Sequence, residues 1–440
     1  MSGEAQWGAL GGVRVMEFTV VLAGPVCGML LAQMGADVVK IEPPMGDPQR
    51  RNGSVVPGES KHYQAYNHGK RSLVVDLREE RGRELIHRII PQFDVVLTNY
   101  RPGVTKRLGI DYETLRQYRP DLVYLEMNAF GFHGPEAPRA GSDVVVQAYA
   151  GLIAGGGQVD EDGAPRSALS IALADHMTGA ASAMGIAAAL YHRAQTGEGQ
   201  LVRGSLLRST LYAQGSAVMR EPVTDASSRD VMMAQLEAIR ARGGDYAEQV
   251  AAHNERRGLG AGFNLYYGGY QAKDGGMFFG ALSPAGRDTI RRAVGSEAER
   301  SDDPDYDVYD PANIAEAREW KQTIQERIRT KTTAEWREIL DEAGGAPVSQ
   351  VQFAEEMSED EHVQAEGMIW DIEHEITGPQ RVVGPIVEME GTPTRVPHAA
   401  PPLGRHTHEI LEELGLAEEE RAELLAAGVI RDDAGGPSRP

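Results

Sequence analysis

Residues 13–42, VRVMEFTVVLAGPVCGMLLAQMGADVVKIE, decide the fold of this 440-residue chain. Residues 13–18 and 38–42 are short apolar runs of the kind that form buried strands. Between them, residues 25–34 predict a helix that begins at a proline, a residue favoured in the first helical turn. A glycine-containing turn at residues 35–37 leads into the second strand. The stretch therefore predicts a strand–helix–strand unit, the building block of a parallel sheet.

The same alternation continues along the chain to residue 131. The predicted strands are 72–77, 95–99 and 122–128, and the predicted helices are 79–90 and 112–118. Alternating elements favour a parallel sheet with helices on both faces, and so an α/β fold. Short strands return at residues 266–282, and helices with charged faces follow, which predicts a second, smaller α+β domain.

Changes in composition predict the domain boundaries. Residues 216–258 are polar and charged without a strong apolar stripe, so we expect a linker there. It would join a large domain at residues 1–215 to a small domain at residues 259–390. Residues 431–440 have the composition of a disordered tail.

Composition excludes several classes of protein. The chain has 44 basic and 65 acidic residues, a net charge of −21, which argues against nucleic acid or an anionic membrane as a partner. No window approaches the roughly 18 uncharged apolar residues that a membrane helix needs. The single cysteine, Cys27, excludes an internal disulfide framework and fits a reducing compartment. We therefore expect a soluble cytoplasmic protein.

Asp175 is the strongest candidate for a functional residue. It lies at the start of a segment of small residues, ALSIALADHMTGAASAMGIAAALYHR at 168–193, which predicts a closely packed helix. An aspartate at this place is either a helix cap, which the free amides and the helix dipole favour, or a nucleophile that faces an adjoining cleft. The residues around Asp175 leave both interpretations open.

Three other motifs favour structural roles. Glu42 stands where a ribose-binding acid would end the second strand, but the loop at 19–28 lacks the three-glycine spacing of a dinucleotide site. Cys27 lies inside a predicted helix with no basic partner to lower its pKa, which favours a buried thiol. His406 and His408 lack the spacing and partner ligands of a metal site, as does the acidic run at 355–361, so we predict no metal.

Two groups of basic residues flank predicted strands. Lys70, Arg71 and Arg78 surround one strand, and Arg101, Lys106 and Arg107 follow another. Open α/β sheets bind ligands at the carboxyl ends of their strands, so these residues either form a phosphate pocket or are scattered surface charges.

Taken together, several long motifs resemble the class III CoA-transferase family, which includes formyl-CoA and carnitine CoA-transferases and, as a divergent branch, α-methylacyl-CoA racemases. The motifs occur in the family's order over nearly the whole chain. They are residues 10–50, 67–77 (NHGKRSLVVDL), 99–115 (NYRPGVTKRLGIDYETL), 130–135 (FGFHGP), 141–151 (GSDVVVQAYAG), 173–200, 266–284 (YYGGYQAKDGGMFFGALSP) and 400–416 (APPLGRHTHEILEELGL).

The resemblance implies a fold, an activity and a set of site residues. The fold would have a Rossmann-like large domain, completed by residues 391–430, and two chains would interlock as rings in a homodimer. The activity would be transfer of CoA from an acyl-CoA to a carboxylic acid, with Asp175 as the catalytic carboxylate and CoA as a substrate rather than a tightly bound cofactor. The residues that would contact CoA are Ala23, Val75, Asp76, Leu77, Arg78, Asn99, Tyr100, Arg101, Arg107, Ala140, Gly141, Ser142 and Asp143.

The chain also departs from the family's patterns. Formyl-CoA transferases have Gln where Leu22 stands and Arg where Pro43 stands, which puts oxalate and formyl specificity in doubt. In racemases the positions of Ser142 and Ser283 are His and Glu, the acid/base pair that moves the α-proton. Serine has no suitable pKa for that work, so transfer is favoured over racemisation even with His176 beside the aspartate. A silent CoA-binding paralogue is the third alternative.

Overall fold

The computed structural model describes residues 7–257, 264–307 and 310–432. These residues form two compact units. Unit 1 contains the described residues of Met1–Gly156, Ser167–Met219 and His362–Pro440, and unit 2 contains those of Gly157–Arg166 and Arg220–Glu361.

The strands are β1 (Arg14–Phe18), β2 (Asp37–Glu42), β3 (Lys70–Val75), β4 (Val95–Thr98), β5 (Val123–Asn128), β6 (Leu201–Ser205), β7 (Tyr267–Gln271), β8 (Gly276–Gly280), β9 (Val348–Gln350), β10 (Ile369–His374), β11 (Gly378–Val383) and β12 (Ile430–Arg431). The helices are α1 (Ala23–Gln33), α2 (Lys61–Asn67), α3 (Glu80–Ile89), α4 (Val104–Arg107), α5 (Tyr112–Leu115), α6 (Asp143–Tyr149), α7 (Leu152–Gly156), α8 (Leu173–Thr196), α9 (Leu206–Ala213), α10 (Gly215–Val218), α11 (Pro222–Ser227), α12 (Arg229–Ala241), α13 (Tyr246–Arg257), α14 (Pro284–Val294), α15 (Pro311–Ile328), α16 (Thr333–Glu342), α17 (Glu361–Ala365), α18 (Thr407–Glu413) and α19 (Glu418–Ala426).

A seven-stranded sheet in the order β12-β3-β2-β1-β4-β5-β6 forms the centre of unit 1. All of its neighbouring strands are parallel except β12, which runs antiparallel to β3. The strand order reverses direction at β1, whose neighbours are β2 and β4. In sheets of this kind a crevice opens at that point, outside the carboxyl ends of the strands. The mixed α/β fold with a predominantly parallel sheet is therefore as the sequence predicts.

Alternating side chains bury both faces of the sheet. Val15 and Val38 belong to the apolar cluster that contains the residues of α1 and α8. Met16 and Val39, one position along each strand, belong to the cluster that contains α3 and α18. Successive strand residues point to opposite faces of the sheet, and both sets are apolar because helices cover both faces, as expected for a buried parallel sheet.

The end of the chain extends this sheet. Ile430 pairs with Val75, so β12 reaches Arg431, the first residue of the stretch predicted to be a disordered tail. Residues 433–440 lie outside the described residues. The hairpin β10–β11 also groups with unit 1, although the sequence placed it in the small domain. His374 explains this grouping because it is buried in unit 1 with its Nε2 3.3 Å from Glu59 Oε2.

Unit 2 is an α+β structure around the three-stranded antiparallel sheet β7-β8-β9. Its apolar core includes Tyr266, Phe279 and Trp336, with side chains from α14, α15 and α16. The predicted linker, 216–258, is helical in its described part, 216–257, and α12 and α13 bury Ile239 and Val250. No helix in the described part of the chain is long and apolar enough to cross a membrane.

Candidate active site

Asp175 is the third residue of α8 and lies in its first turn. The residue that precedes the helix as its N-cap is Ala172, and no side chain caps this end. Within the described residues, the Asp175 carboxylate accepts no hydrogen bond. Asp175 therefore does not cap α8, and its two oxygens are unpaired beside the positive end of the helix dipole.

A second carboxylate, Asp143, positions the backbone of Asp175. Asp143 is buried at the start of α6, and its Oδ2 accepts the backbone N–H of Asp175 at 2.9 Å. Its other oxygen accepts a hydrogen bond from Gln147. Burial, and then the negative charge of Asp143, raise the pKa of Asp175 to about 7. The carboxylate is therefore more basic and less solvated than an ordinary aspartate, and both properties favour nucleophilic attack.

Close packing between α1 and α8 fixes the place of Asp175 in the fold. Gly179 lies one turn after Asp175 on the same face of α8. A Cβ at Gly179 would lie 2.7 Å from Val26 Cβ and 2.8 Å from the carbonyl oxygen of Ala23. Only glycine fits there, so α8 is held against the first turn of α1, one helical turn from Asp175. The loop that precedes α1 is the next part of this region.

That loop, residues 19–22, joins β1 to α1 at the carboxyl edge of the sheet. Val21 is 41% exposed and has a φ of +69°, whereas Leu22 is buried. A left-handed backbone at a β-branched residue costs on the order of 1–3 kcal/mol and is concentrated at functional sites. The amino end of α1 has no side-chain cap and no acidic residue in its first turn. Its free N–H groups therefore suit an anion or a developing oxyanion.

Residues predicted to contact CoA follow the carboxyl end of β3. Val75 ends the strand, and Asp76 and Leu77 after it are buried. Arg78 is exposed, and its guanidinium pairs with Asp76 at 2.6 Å. The hydrogen bonds from Arg78 lower the pKa of Asp76. Arg78 thus reaches solvent, but Asp76 competes with a phosphate for its side chain.

A further set follows β4. Both polar atoms of the Asn99 amide form hydrogen bonds with the backbone of Val20. Oδ1 accepts from the N–H of Val20 at 2.9 Å, and Nδ2 donates to the carbonyl oxygen of Val20 at 2.7 Å. Burial raises the pKa of Tyr100 to about 12. Arg101 and Arg107 are exposed, and among the described residues neither guanidinium has a partner. These two cations are available to an anionic ligand, whereas Asn99 is occupied with the protein's own backbone.

The remaining predicted contacts are divided between the surface and the interior. Ala140, Gly141 and Ser142 are exposed and lead directly into Asp143. Ala23 is buried in the first turn of α1. Asp143 is thus the predicted CoA contact that hydrogen-bonds to Asp175, and the others are distributed along the carboxyl edge of the sheet.

The first predicted basic group does not form a phosphate pocket. Lys70 is fully buried, with its Nζ 3.0 Å from Glu17 Oε2. Arg71 pairs with Asp37 at 2.7 Å. Of these three residues only Arg78 extends into solvent. Lys70 and Arg71 lie on β3, which has a neighbouring strand on each side.

The motifs weighed as cofactor or metal sites have structural partners. Glu42 is buried and accepts two hydrogen bonds from Arg50, at 2.8 and 2.7 Å, so it is not available to a ribose. Cys27 is fully buried, and burial raises the pKa of its thiol. His406 accepts a backbone N–H, and His408 lies 3.4 Å from a carboxylate near the end of the chain.

Sequence reasoning missed a buried network of charges beneath the loop at 19–22. Lys40 Nζ lies 3.1 Å from Glu17 Oε1 and 3.2 Å from Asp47 Oδ2, and Lys70 approaches Glu17 from the other side. The signal in the sequence was the presence of Glu17 and Lys40 among the apolar residues in the middle of strands β1 and β2. Buried charges are almost always paired, so each of them implied a partner.

Comparisons with known proteins agree with this architecture. The model of the family described as CoA-transferase family III matches residues 10–407. A succinate–glutarate CoA-transferase of Agrobacterium fabrum is 33% identical over 426 residues, 92% of this chain and 95% of the relative. A succinyl-CoA–D-citramalate CoA-transferase of Chloroflexus aurantiacus is 29% identical over 437 residues, 98% of this chain and 100% of the relative.

Solved structures show the same fold. A CAIB/BAIF family protein from Brucella suis is 27% identical and superimposes with a TM-score of 0.70 over 93% of this chain and 100% of that chain. The hypothetical protein Rv3272 from Mycobacterium tuberculosis, at 24% identity, has a TM-score of 0.70 over 92% of this chain and 99% of that chain. With a family model that spans most of its length, the chain belongs to CoA-transferase family III and is an enzyme of that class.

Proposed function

We propose that the protein moves CoA from an acyl-CoA thioester to a carboxylic acid through a covalent intermediate on Asp175. The observation that carries the proposal is the Asp175 carboxylate itself. It accepts no hydrogen bond from the described residues, has a pKa raised to about 7, and lies one helical turn before Gly179, which packs against the first turn of α1. A thioester is an activated acyl donor, so a desolvated carboxylate is a competent nucleophile towards it.

The reaction then proceeds in four balanced steps. An Asp175 oxygen attacks the thioester carbonyl, the C–S bond breaks, and a mixed anhydride and CoA thiolate form. The thiolate attacks the Asp175 carbonyl of the anhydride, which gives an aspartyl-CoA thioester and releases the donor acid. The acceptor carboxylate attacks this thioester, its C–S bond breaks, and a second anhydride and CoA thiolate form. The thiolate finally attacks the acceptor's carbonyl, which gives the new acyl-CoA and releases the Asp175 carboxylate. Covalent catalysis of this kind replaces one difficult exchange with easier steps.

The surroundings of Asp175 suit these steps. Free N–H groups at the start of α1 would stabilise the oxyanions that form at each attacked carbonyl. Arg101 and Arg107, which have no partner among the described residues, are the proposed contacts to the phosphates of CoA. We also retain Ala23, the segment from Val75 to Arg78, and the segment from Ala140 to Asp143 as proposed CoA contacts.

The names of the relatives indicate a class of substrate. Those of Agrobacterium fabrum and Chloroflexus aurantiacus name succinate or succinyl-CoA together with a second dicarboxylic acid. We propose a dicarboxylic acid as acceptor and succinyl-CoA, or a similar dicarboxyl-CoA, as donor. Leu22, the last residue of the loop at 19–22, replaces the Gln of formyl-CoA transferases; it is buried and does not suggest formyl specificity.

The geometry disfavours racemisation, which needs an acid/base group on each face of the substrate's α-carbon. Ser283 caps α14, since its Oγ accepts the N–H of Gly286 at 3.2 Å. His176 is turned to its own helix: its Nδ1 lies 2.7 Å from the carbonyl oxygen of Ala172. Ser142 has no titratable group in the required range.

We also propose that the enzyme is a cytoplasmic homodimer with the interlocked arrangement that its resemblance implies. Large apolar side chains on unit 1 support a partner: Met184 and Tyr191 on α8 are 72% and 70% exposed, and Tyr212 on α9 is 82% exposed. Exposed apolar residues concentrated on neighbouring helices mark interaction surfaces. The single buried cysteine fits a reducing compartment.

The function is tested by trapping the intermediate. The protein is incubated with a panel of acyl-CoAs that includes succinyl-CoA, without acceptor, and quenched with hydroxylamine, which converts an acylated aspartate to a hydroxamate. Trypsin releases residues 167–193, a peptide in which Asp175 is the only acidic side chain. We expect the hydroxamate in this peptide and its loss in Asp175→Asn, whereas Glu198→Gln, an exposed control near the end of α8, retains it. An unmodified peptide with every donor, together with exchange of the α-proton in deuterated water, would overturn the proposal in favour of a racemase.

A further inference from the structure

The loop at residues 19–22 contains the single non-glycine residue with a positive φ in the described part of the chain, Val21. A β-branched residue avoids this conformation because its Cβ substituents crowd the backbone. Such strain persists only where surrounding contacts over-determine the conformation. The question is which contacts hold Val21 and what they serve.

Side chains from distant parts of the sequence hold the backbone of this loop. Asn99, which follows β4, clamps both the N–H and the carbonyl of Val20 with its amide. Asp47, which follows β2, accepts the N–H of Val21 at 3.2 Å. These bonds replace the main-chain partners that a regular element would supply.

The buried cation Lys40 stabilises this arrangement of the loop. Lys40 donates to the carbonyl of Thr19 at 2.8 Å and pairs with Asp47 at 3.2 Å. Glu17 accepts from Lys40 at 3.1 Å and from the hydroxyl of Thr19 at 2.7 Å. The charged groups are almost completely buried, so Asp47 has little freedom to move and holds the strained N–H in one place.

The clamped loop is also where the chemistry is expected. It lies between β1 and β4, at the strand-order reversal where open α/β sheets form their binding crevice. It leads directly into the turn of α1 that packs against Gly179, one turn from Asp175. A shift of the loop would therefore change the groups that face Asp175.

We propose that Asp47, supported by Lys40 and Asn99, is a positioning residue for CoA transfer that holds Val21 in its left-handed conformation and so fixes the start of α1 beside Asp175. The proposal rests on the proposed role of Asp175 as the carboxylate that is acylated. Asp47 touches no reacting atom and acts through the backbone of Val21.

A double-mutant cycle between Asp47→Asn and Val21→Gly tests the proposal. Asp47→Asn weakens the clamp, and Val21 then relaxes out of its strained conformation. Glycine adopts a positive φ without strain, so Val21→Gly reduces the need for the clamp. We expect Asp47→Asn to lower kcat and the single-turnover rate of Asp175 acylation by about tenfold or more, with a smaller change in KM for the acyl-CoA. In the Val21→Gly background the same change should lower these rates by less than about threefold.

The controls separate positioning from a general loss of stability. Asp37→Asn removes the charge of an ion pair at the amino end of β2, away from the crevice, and should leave kcat unchanged in both backgrounds. Circular dichroism checks that each variant is folded; if Asp47→Asn is not, Asn99→Ser breaks the clamp at Val20 and enters the same cycle. Equal losses with and without Val21→Gly, or an unchanged kcat in Asp47→Asn, would overturn the proposal.

The outcomes also distinguish this proposal from the function on which it rests. If Asp175 is acylated but Asp47 and Val21 show no coupling, only the proposed positioning role of Asp47 is refuted. If Asp47 and Val21 are coupled in the transfer rate but Asp175 is never acylated, the proposed intermediate is refuted and the positioning role of Asp47 belongs to another mechanism.

Discussion

Replacing Asp175 by asparagine should stabilise the protein at alkaline pH and leave it nearly unchanged at acidic pH. The ordinary pKa of an aspartate is 3.8, and burial first and the charge of Asp143 second raise the pKa of Asp175 to about 7. Each pKa unit corresponds to about 1.4 kcal/mol, so the ionised carboxylate lowers the free energy of unfolding by about 4 kcal/mol. In the proposed function this loss of stability has a purpose, because a desolvated carboxylate is the proposed reacting group.

The direction in which pH changes the stability depends on whether the folded or the unfolded chain binds the proton more tightly. Below pH 3.8 the carboxyl is neutral in both the folded and the unfolded chain, and Asp175 has no unfavourable effect. Between that pH and about 7 the unfolded chain ionises first, so the wild-type protein loses stability as the pH rises. Above about pH 7 the folded protein is ionised as well, and the loss is complete.

The assay is urea unfolding of both proteins from pH 4.5 to 8.5, followed by circular dichroism. The difference in the free energy of unfolding between Asp175→Asn and wild type should grow with pH and level off near 4 kcal/mol, within about a factor of two. Glu198→Gln, an exposed carboxylate near the end of the same helix, should show no such growth. Parallel stability curves for Asp175→Asn and wild type across this range would refute the account of the site's electrostatics.

Four further changes have defined outcomes. Asp143→Asn removes a negative charge and should move the pH midpoint of acylation at Asp175 below 7, measured by single-turnover trapping. Gly179→Ala should lower the free energy of unfolding by about 1–3 kcal/mol and reduce kcat, because its Cβ would lie 2.7 Å from another side chain. Cys27 should react with a thiol reagent only after denaturant is added, since the thiol is fully buried and its pKa is raised. Met184→Lys should convert the proposed dimer to monomer in light scattering, because a charge would replace an exposed apolar side chain.

Each of these has a result that contradicts it. If the pH midpoint of acylation does not move in Asp143→Asn, the charge of Asp143 does not raise the pKa of Asp175, and the prediction is contradicted. Gly155→Ala is the matched control for the glycine change, since open space surrounds its Cβ and it should be tolerated. Rapid labelling of native Cys27, or a wild-type protein that is already monomeric, would contradict the other two.

The large unit was predictable because its signals are local. The apolar runs around Val15 and Val38, and the proline in the first turn of α1, indicate a strand–helix–strand unit from sequence alone. The close packing of the helix that begins near Asp175 was predictable because small residues follow Asp175 for several turns, and Gly179 provides the close contact that this pattern implies. The α12–α13 segment was harder, because burial there depends on a few residues such as Ile239 within a polar sequence.

The clamp on the loop at 19–22 could not be predicted from local patterns. Its members come from β2, from the loop after β2 and from the end of β4, and Asn99 lies 79 residues from the Val20 backbone that it holds. A charged residue inside a buried strand indicates only that it has a partner of opposite charge or a hydrogen-bonding partner. Which partner it finds depends on the strand order, and for the same reason the sequence left open whether the basic group around Lys70 forms a phosphate pocket.

The central claim, that Asp175 is covalently acylated in each turnover, is tested most directly by oxygen transfer. The enzyme is allowed to turn over with an acyl-CoA donor and an acceptor acid whose carboxylate carries heavy oxygen, and the peptide of residues 167–193 is then weighed by mass spectrometry. The proposed steps release one aspartate oxygen with the donor acid and return one acceptor oxygen to the aspartate in each turnover. This peptide should therefore gain one heavy oxygen after a single turnover and up to two after many, all at Asp175, its only acidic side chain. Complete turnover with no label in the peptide would contradict the account, because CoA would then have reached the acceptor without passing through Asp175.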